Sequence, residues 1–192
     1  MARFVAAARV RYYFASRAMP LKRRSVGLRR MDYAEFEEAI KHFASRASDA
    51  ARRAFALETL ELMLPAADAA SQRENAPSER ALFEAITGGL LTSDPDELKK
   101  SLTLLSDEMS ADDVRAIEFD GDLVEYLCAV DHWIAYLTTR DPLEICGLAI
   151  NRVNCIDFRL DEGTDDYSIG NMLGASEMAA EFQRIQARLA GN

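Results

Sequence analysis

Residues 122–160, DLVEYLCAVDHWIAYLTTRDPLEICGLAINRVNCIDFRL, contain two helix-forming patterns that are separated by a very short turn. In the first pattern, apolar residues recur at helical spacing and form one face: Leu123, Tyr126, Leu127, Val130, Ile134 and Leu137. Asp141 and Pro142 then start the second helix, because aspartate caps helices well and proline suits the first helical position. Since the turn is so short, the two helices are expected to be antiparallel neighbours.

Helix-start signals recur along the rest of the chain, for example Asp32 followed by Glu35 and Asp94 followed by Pro95. No segment alternates between apolar and polar residues as a strand does. The further helices predicted by these patterns span about 32–47, 49–71, 78–89, 95–109, 110–117 and 175–190. Pro65 is expected to kink or split the second of them. The predicted fold is an all-α, compact bundle of six to eight helices.

The first 30 residues differ in composition from the rest of the chain. They contain nine Arg or Lys and no Asp or Glu, and arginines interrupt their only apolar stretch, which excludes a secretory signal and a membrane span there. Three interpretations of this basic leader stay open: an organellar transit peptide, a nucleic-acid-binding arm, and upstream sequence from a start codon placed too early. We favour a start at Met31, and all three interpretations predict one domain of residues 31–192.

The predicted domain is strongly acidic. The whole chain has a formal charge of −9 and its first 30 residues carry +9, so residues 31–192 carry −18. This charge repels nucleic-acid phosphates and anionic membranes and attracts a basic protein, although it can also serve solubility alone. The candidate partner-binding residues are Asp112, Asp113, Glu118, Asp120, Asp122, Glu125, Asp161, Glu162, Asp165 and Asp166.

No motif predicts a cofactor or a metal centre. The chain lacks a P-loop, a G-x-G-x-x-G loop and an H-E-x-x-H pair, and its two histidines, His42 and His132, are not at metal-binding spacing. His132 falls opposite the apolar face of its helix and is predicted to be exposed. The three cysteines form no C-x-x-C pair, which favours reduced thiols and a cytoplasmic protein.

Three polar residues of the segment 122–160 are candidates for a buried site. Asp157 projects into the apolar face of its helix, and Asp131 lies at the edge of the neighbouring face. A buried aspartate must be paired or hydrogen-bonded, and Asn154 lies one turn away on the same side. One interpretation is a structural polar network that fixes the helix register. The other is a small-ligand or weak metal-dependent site of Asp131, Asn154 and Asp157.

Four segments resemble, in their order along the chain, a YjaG-like family of small all-helical bacterial proteins of unknown function. They are AFALETLELMLP at 54–65, AVDHWIAYL at 129–137, DPLEICGLAINRVNCIDF at 141–158, and the last helix with Glu181 and Gln186. The resemblance begins near Arg52 and excludes the basic leader. It implies an all-helical fold and no established activity.

These observations predict a cytoplasmic, bacterial, non-enzymatic protein that binds a basic protein partner through its acidic surface. In size, acidity and helical content it is similar to immunity proteins that neutralise toxins. The alternative function is the ligand or metal-dependent site at Asp131, Asn154 and Asp157. Binding of nucleic acid is expected only if residues 1–30 are a genuine part of the protein.

Overall fold

The computed structural model describes residues 30–110, 120–160 and 167–190. Seven α-helices lie in these residues: α1 Tyr33–Arg46, α2 Asp49–Glu74, α3 Pro77–Gly89, α4 Pro95–Ser110, α5 Gly121–Thr139, α6 Pro142–Leu160 and α7 Ser176–Leu189. A short 3₁₀ helix, Met172–Gly174, precedes α7. The predicted all-α bundle is therefore confirmed. The basic leader apart from Arg30, and the helix predicted near 110–117 apart from Ser110, lie outside the described residues.

The predicted capping residues do hold the first turns of their helices. Asp32 and Glu35 form a reciprocal capping box at α1, in which the Glu35 amide donates to Asp32 Oδ1 at 2.9 Å. The carboxylates of Asp94 and Asp141 accept the amide two residues ahead, at 2.8 and 2.9 Å. Each bond satisfies an amide that has no partner inside its helix, so these side chains determine where the helices begin.

The longest helix in the described ranges, α2, has 26 residues and passes through Pro65 without a break. Of the two expectations for Pro65, a kink or a split, the split does not occur. Proline removes one backbone hydrogen bond, but α2 packs against α5, α6 and α7, and these neighbours hold the chain helical on both sides of it. Phe55, Leu60 and Met63 of α2 are buried in these contacts.

Helices α5 and α6 form the antiparallel pair that the short turn predicts, and their contact is the most extensive between helices of the described residues. His132 of α5 lies directly against Gly147 of α6, where no larger side chain would fit without a shift of the ring. Its Nδ1 is 2.7 Å from Glu144 Oε2. His132 is consequently half-buried between the two helices, and the prediction that it is exposed is wrong.

The segment before α7 is fastened to the start of α1 by two backbone hydrogen bonds. The Tyr33 amide donates to the Ile169 carbonyl at 2.9 Å, and the Met172 amide donates to the Met31 carbonyl at 2.8 Å. Met172 is itself buried. These bonds hold the segment beside α1, and Tyr167 at its start reaches Asp157 of α6.

Arg184 of α7 joins that helix to α2 through a largely buried ion-pair cluster. Its guanidinium donates to Glu181 at 2.7 Å, to Thr59 at 2.9 Å and to Glu58 at 3.2 Å. It also lies 4.8 Å from the centre of the Phe55 ring. Because the Glu181 side chain is only 6% exposed, its charge depends on Arg184 for compensation.

We expect Arg184→Ala to lower the free energy of unfolding by about 3 kcal/mol, because it leaves the Glu181 carboxylate buried and unpaired. Arg188→Ala is the matched control, since Arg188 also pairs with Glu58 but is 58% exposed. The control should cost less than about 1 kcal/mol. Urea unfolding followed by circular dichroism measures both, and equal losses would contradict the assignment.

Candidate functional site

The three residues predicted to form a polar site lie in different surroundings. Asp131 forms an ion pair with Lys99 of α4 and is partly exposed. Asp157 accepts a hydrogen bond from the Tyr167 hydroxyl. Asn154 is 5% exposed and faces α5. The predicted need of Asp157 for a hydrogen-bonding partner is met by a tyrosine from the segment before α7.

Asn154 belongs to a buried polar cluster at the contact of α5 and α6. Glu125 Oε2 accepts hydrogen bonds from Asn151 Nδ2 at 2.6 Å and from Asn154 Nδ2 at 3.1 Å. All three side chains belong to residues that expose less than a tenth of their surface: Glu125 6%, Asn151 8% and Asn154 5%. We refer to Glu125, Asn151 and Asn154 as the Glu125 cluster.

Helix geometry separates Asp131 from the Glu125 cluster. Asp131 is six residues beyond Glu125, which on an α-helix is about 9 Å along the axis and about 120° around it. The structure therefore brings Asn154 together with Glu125 and Asn151, while Asp131 points toward α4. Asp157 lies three residues beyond Asn154 on the same side of α6 and borders the cluster.

Burial controls the electrostatics of this region. It raises the pKa of Glu125, and the hydrogen bonds from Asn151 and Asn154 oppose that rise because they favour the ionised form. Burial also raises the pKa of Tyr33 to about 12, with further contributions from the charges of Glu37, Cys146, Asp157 and Glu125. Tyr33 of α1 is therefore close enough to sense this polar region.

The two asparagines of the Glu125 cluster are only half satisfied. Asn151 Oδ1 and Asn154 Oδ1 are inaccessible to solvent and have no hydrogen-bond partner within the described part of the chain. A buried acceptor without a donor costs about 1–3 kcal/mol, so such atoms are uncommon in folded proteins. Two of them lie beside one buried carboxylate, that of Glu125.

Sequence reasoning missed Asn151 and assigned Glu125 to an exposed surface. A signal existed, because Glu125, Ala129, His132 and Tyr136 recur at helical spacing and form a second inward face of α5. On α6, Asn151 and Asn154 are three residues apart and share a side. The apolar face of α5 was the stronger pattern and hid this second one.

The remaining acidic candidates divide between described and undescribed residues. Asp120 caps α5 and pairs with Arg73 at 2.9 Å, and Asp122 pairs with Arg159 at 3.5 Å. The other seven lie outside the described residues: Asp112, Asp113, Glu118, Asp161, Glu162, Asp165 and Asp166. Of the described candidates, Asp120 and Asp122 are thus paired within the chain, and Glu125 is buried.

A shallow concavity of about 370 Å³ lies at the start of α5, between Asp120, Gly121, Asp122 and Phe158. Phe158 of α6 is 43% exposed, so its ring is accessible at the surface. Its ring packs over Gly121, where a Cβ atom would come within 3.1 Å of it. The concavity therefore combines an accessible aromatic ring with two carboxylates.

No group of three His, Cys, Asp or Glu residues that could hold a metal ion occurs in the described ranges. Nor is any helix there long and apolar enough to cross a membrane. The cysteines are free thiols, and burial raises the pKa of Cys128 and of Cys146 to about 12. At neutral pH these thiols are therefore protonated and poor nucleophiles.

Comparison with known proteins identifies no relative: no family model, no curated protein and no solved structure matches the chain.

We expect Tyr167→Phe to lower the free energy of unfolding by about 1 kcal/mol, because it removes the hydrogen bond to Asp157. The control is Tyr126→Phe. Tyr126 is fully buried and its hydroxyl has no partner among the described residues, so its removal should leave stability unchanged or increase it. Thermal or urea unfolding of both variants provides the comparison. A larger loss in Tyr126→Phe than in Tyr167→Phe would contradict the two hydrogen-bond assignments.

Proposed function

We propose that this protein is a non-enzymatic interaction protein that binds a basic protein partner through an acidic surface. The observation that carries the proposal is the concavity at Asp120, Asp122 and Phe158. Association surfaces commonly combine a central aromatic anchor with charges that attract the partner. The formal charge of −18 on residues 31–192 supplies long-range attraction for a basic molecule.

The acidic stretches of the sequence adjoin this concavity along the chain. Glu118 is two residues before Asp120, and Asp161 is three residues after Phe158. An aliphatic side chain of the partner would pack on the Phe158 ring, and neighbouring Lys or Arg side chains would approach the carboxylates. Arg73 and Arg159 already pair with Asp120 and Asp122, so a cationic partner would compete with surface ion pairs that contribute little to stability.

Neutralisation of a toxin is the specific form of this function that we favour, and we place it in the bacterial cytoplasm. The reduced cysteines support that compartment, since disulfides are rare there. The all-helical fold agrees with the resemblance to the YjaG-like family at the level of fold class. Binding of nucleic acid would depend on residues 1–30 and would oppose the charge of residues 31–192.

The alternative proposal is a small-ligand or metal-dependent site around Asp131, Asn154 and Asp157. Its strongest support is the burial of Asn154 and its unpartnered amide oxygen. Against it, Asp131 is paired with Lys99 and directed toward another helix. We therefore place interaction with a basic protein first.

The test uses a labelled peptide rich in lysine and arginine with one central leucine, and fluorescence anisotropy as the readout. We expect binding that weakens as salt increases, since the attraction is electrostatic. Phe158→Ala should reduce the affinity by about tenfold, which corresponds to the loss of one anchor side chain worth about 1.4 kcal/mol.

Leu143→Ala is the matched control, because Leu143 is also exposed and apolar but lies at the other end of α6, about 22 Å from Phe158 along the helix. Leu143→Ala should bind the peptide with the same affinity as the wild type. Affinity that is independent of salt, or equal for an acidic peptide of the same length, would reject the proposal. Affinity that depends on salt but not on Phe158 would keep the acidic surface and reject this concavity as its centre.

A further inference from the structure

The Glu125 carboxylate is buried between α5 and α6 without a positive partner. Within the described part of the chain, its side-chain contacts are the two asparagine amides, and it forms no ion pair. An ionised carboxylate in such a place is costly, because neutral amides replace only part of its hydration. Either Glu125 stays ionised and destabilises the folded protein, or a cation neutralises it.

The geometry of the cluster favours the smallest cation, a proton. The Asn151 amide nitrogen is 2.6 Å from Glu125 Oε2, which leaves no space for an ion between them. Metal ions need about 2.0–2.6 Å to each oxygen ligand and several such ligands. A proton on Glu125 needs no additional volume and changes the carboxylate into a hydrogen-bond donor.

Protonation would also change the hydrogen bonds that the two asparagine amides can make with Glu125. When Glu125 is ionised it can only accept, so both amide groups turn their nitrogens toward it and both oxygens lack a donor. When Glu125 is protonated, one amide can rotate by 180° about its last side-chain bond and accept the new O–H. The oxygen of that amide then gains a donor while its nitrogen turns away from Glu125, so the cluster has a second hydrogen-bond pattern that requires no movement of a helix.

We propose that Glu125, Asn151 and Asn154 form a buried proton-binding site, and that the charge state of Glu125 makes the α5–α6 contact sensitive to pH. This site is separate from the surface concavity at Phe158 and does not depend on the function proposed for it. The Glu125 cluster lies at the largest helix–helix contact of the described residues. Gain or loss of the charge on Glu125 therefore changes the stability of the contact between α5 and α6.

The surroundings modify this proton site in both directions. His132 favours the ionised form of Glu125 through its charge, and Asp122 opposes it. Titratable groups that sense the charge of Glu125 are Tyr33 of α1, Cys128 of α5 and Cys155 of α6. Glu74 of α2 accepts a hydrogen bond from the Asp120 amide, and Lys99 of α4 forms an ion pair with Asp131. Asp120 and Asp131 each lie more than one helical turn from Glu125 along α5.

The direction of the pH effect depends on whether the folded or the unfolded protein binds the Glu125 proton more tightly. Burial raises the pKa of Glu125 in the folded protein above its ordinary value of 4.5. The folded state therefore binds the proton more tightly than the unfolded state does. This contribution to stability is complete below pH 4.5 and is lost as the pH rises through the higher pKa of the folded protein.

The experiment compares the melting temperatures of the wild type and of Glu125→Gln across this pH range. Glutamine has the shape of a protonated glutamate and cannot ionise, so the variant mimics the protonated site. We expect the two proteins to melt together near pH 4.5 and the variant to melt progressively higher as the pH rises. Glu61→Gln makes the same substitution at an exposed position of α2 and serves as the control, with a constant offset from the wild type.

Infrared spectroscopy adds a readout that stability alone does not provide. Above the ordinary pKa of glutamate, the wild type should retain a protonated carboxyl band that Glu125→Gln lacks. A constant difference in melting temperature together with the absence of that band would overturn the proposal. A second comparison replaces Na⁺ or K⁺ by choline at constant pH and ionic strength. If this replacement changes the melting temperature of the wild type but not that of Glu125→Gln, the site binds a metal cation and the proposal is overturned.

Discussion

The antiparallel packing of α5 on α6 is the constraint on which the rest of the structure depends. These two helices share the largest contact in the described residues, and α1, α2, α4 and α7 each pack on one or both of them. The two helices approach closely where His132 of α5 lies against Gly147 of α6, and their contact is polar at the Glu125 cluster. A purely apolar seam could slide by one turn at small cost, whereas buried polar partners must meet in one register.

The polar cluster carries a cost that apolar residues at the same positions would avoid. Glu125 is desolvated, and two amide oxygens beside it lack donors in the described residues. Burial of charge is weak evidence for stability, since replacement by well-packed apolar side chains is often neutral or stabilising. Retention of such a group at the centre of a bundle is therefore better explained by register or by proton binding than by stability.

The segment before α7 connects the centre of the bundle to its surface. Its backbone is bonded to the start of α1, and Tyr167 reaches the Asp157 carboxylate of α6. One residue further along α6, Phe158 turns outward beside Asp122. Asn154 and Phe158 are four residues apart and share a side of α6. Asn154 meets Glu125 within the contact with α5, and Phe158 covers Gly121 where α5 begins, so position along the contact decides which of the two is buried.

The sequence by itself determined which segments become helices and where most of them begin. Capping at Asp32, Asp94 and Asp141 is local chemistry between a side chain and the next few amides, so it can be read from neighbouring residues. The short turn before Pro142 likewise determined that α5 and α6 are antiparallel neighbours, because so short a connection permits little else.

Only the tertiary structure decided which polar residues meet. The sequence grouped Asn154 with Asp131 and Asp157, but Asn154 donates to Glu125 beside Asn151, and Asp131 instead pairs with Lys99. Helical period gives the direction of a side chain on its own helix, but it does not give the rotation of the neighbouring helix or the third helix that covers it. That choice is made by packing over the whole bundle, and for the same reason α2 continues through Pro65.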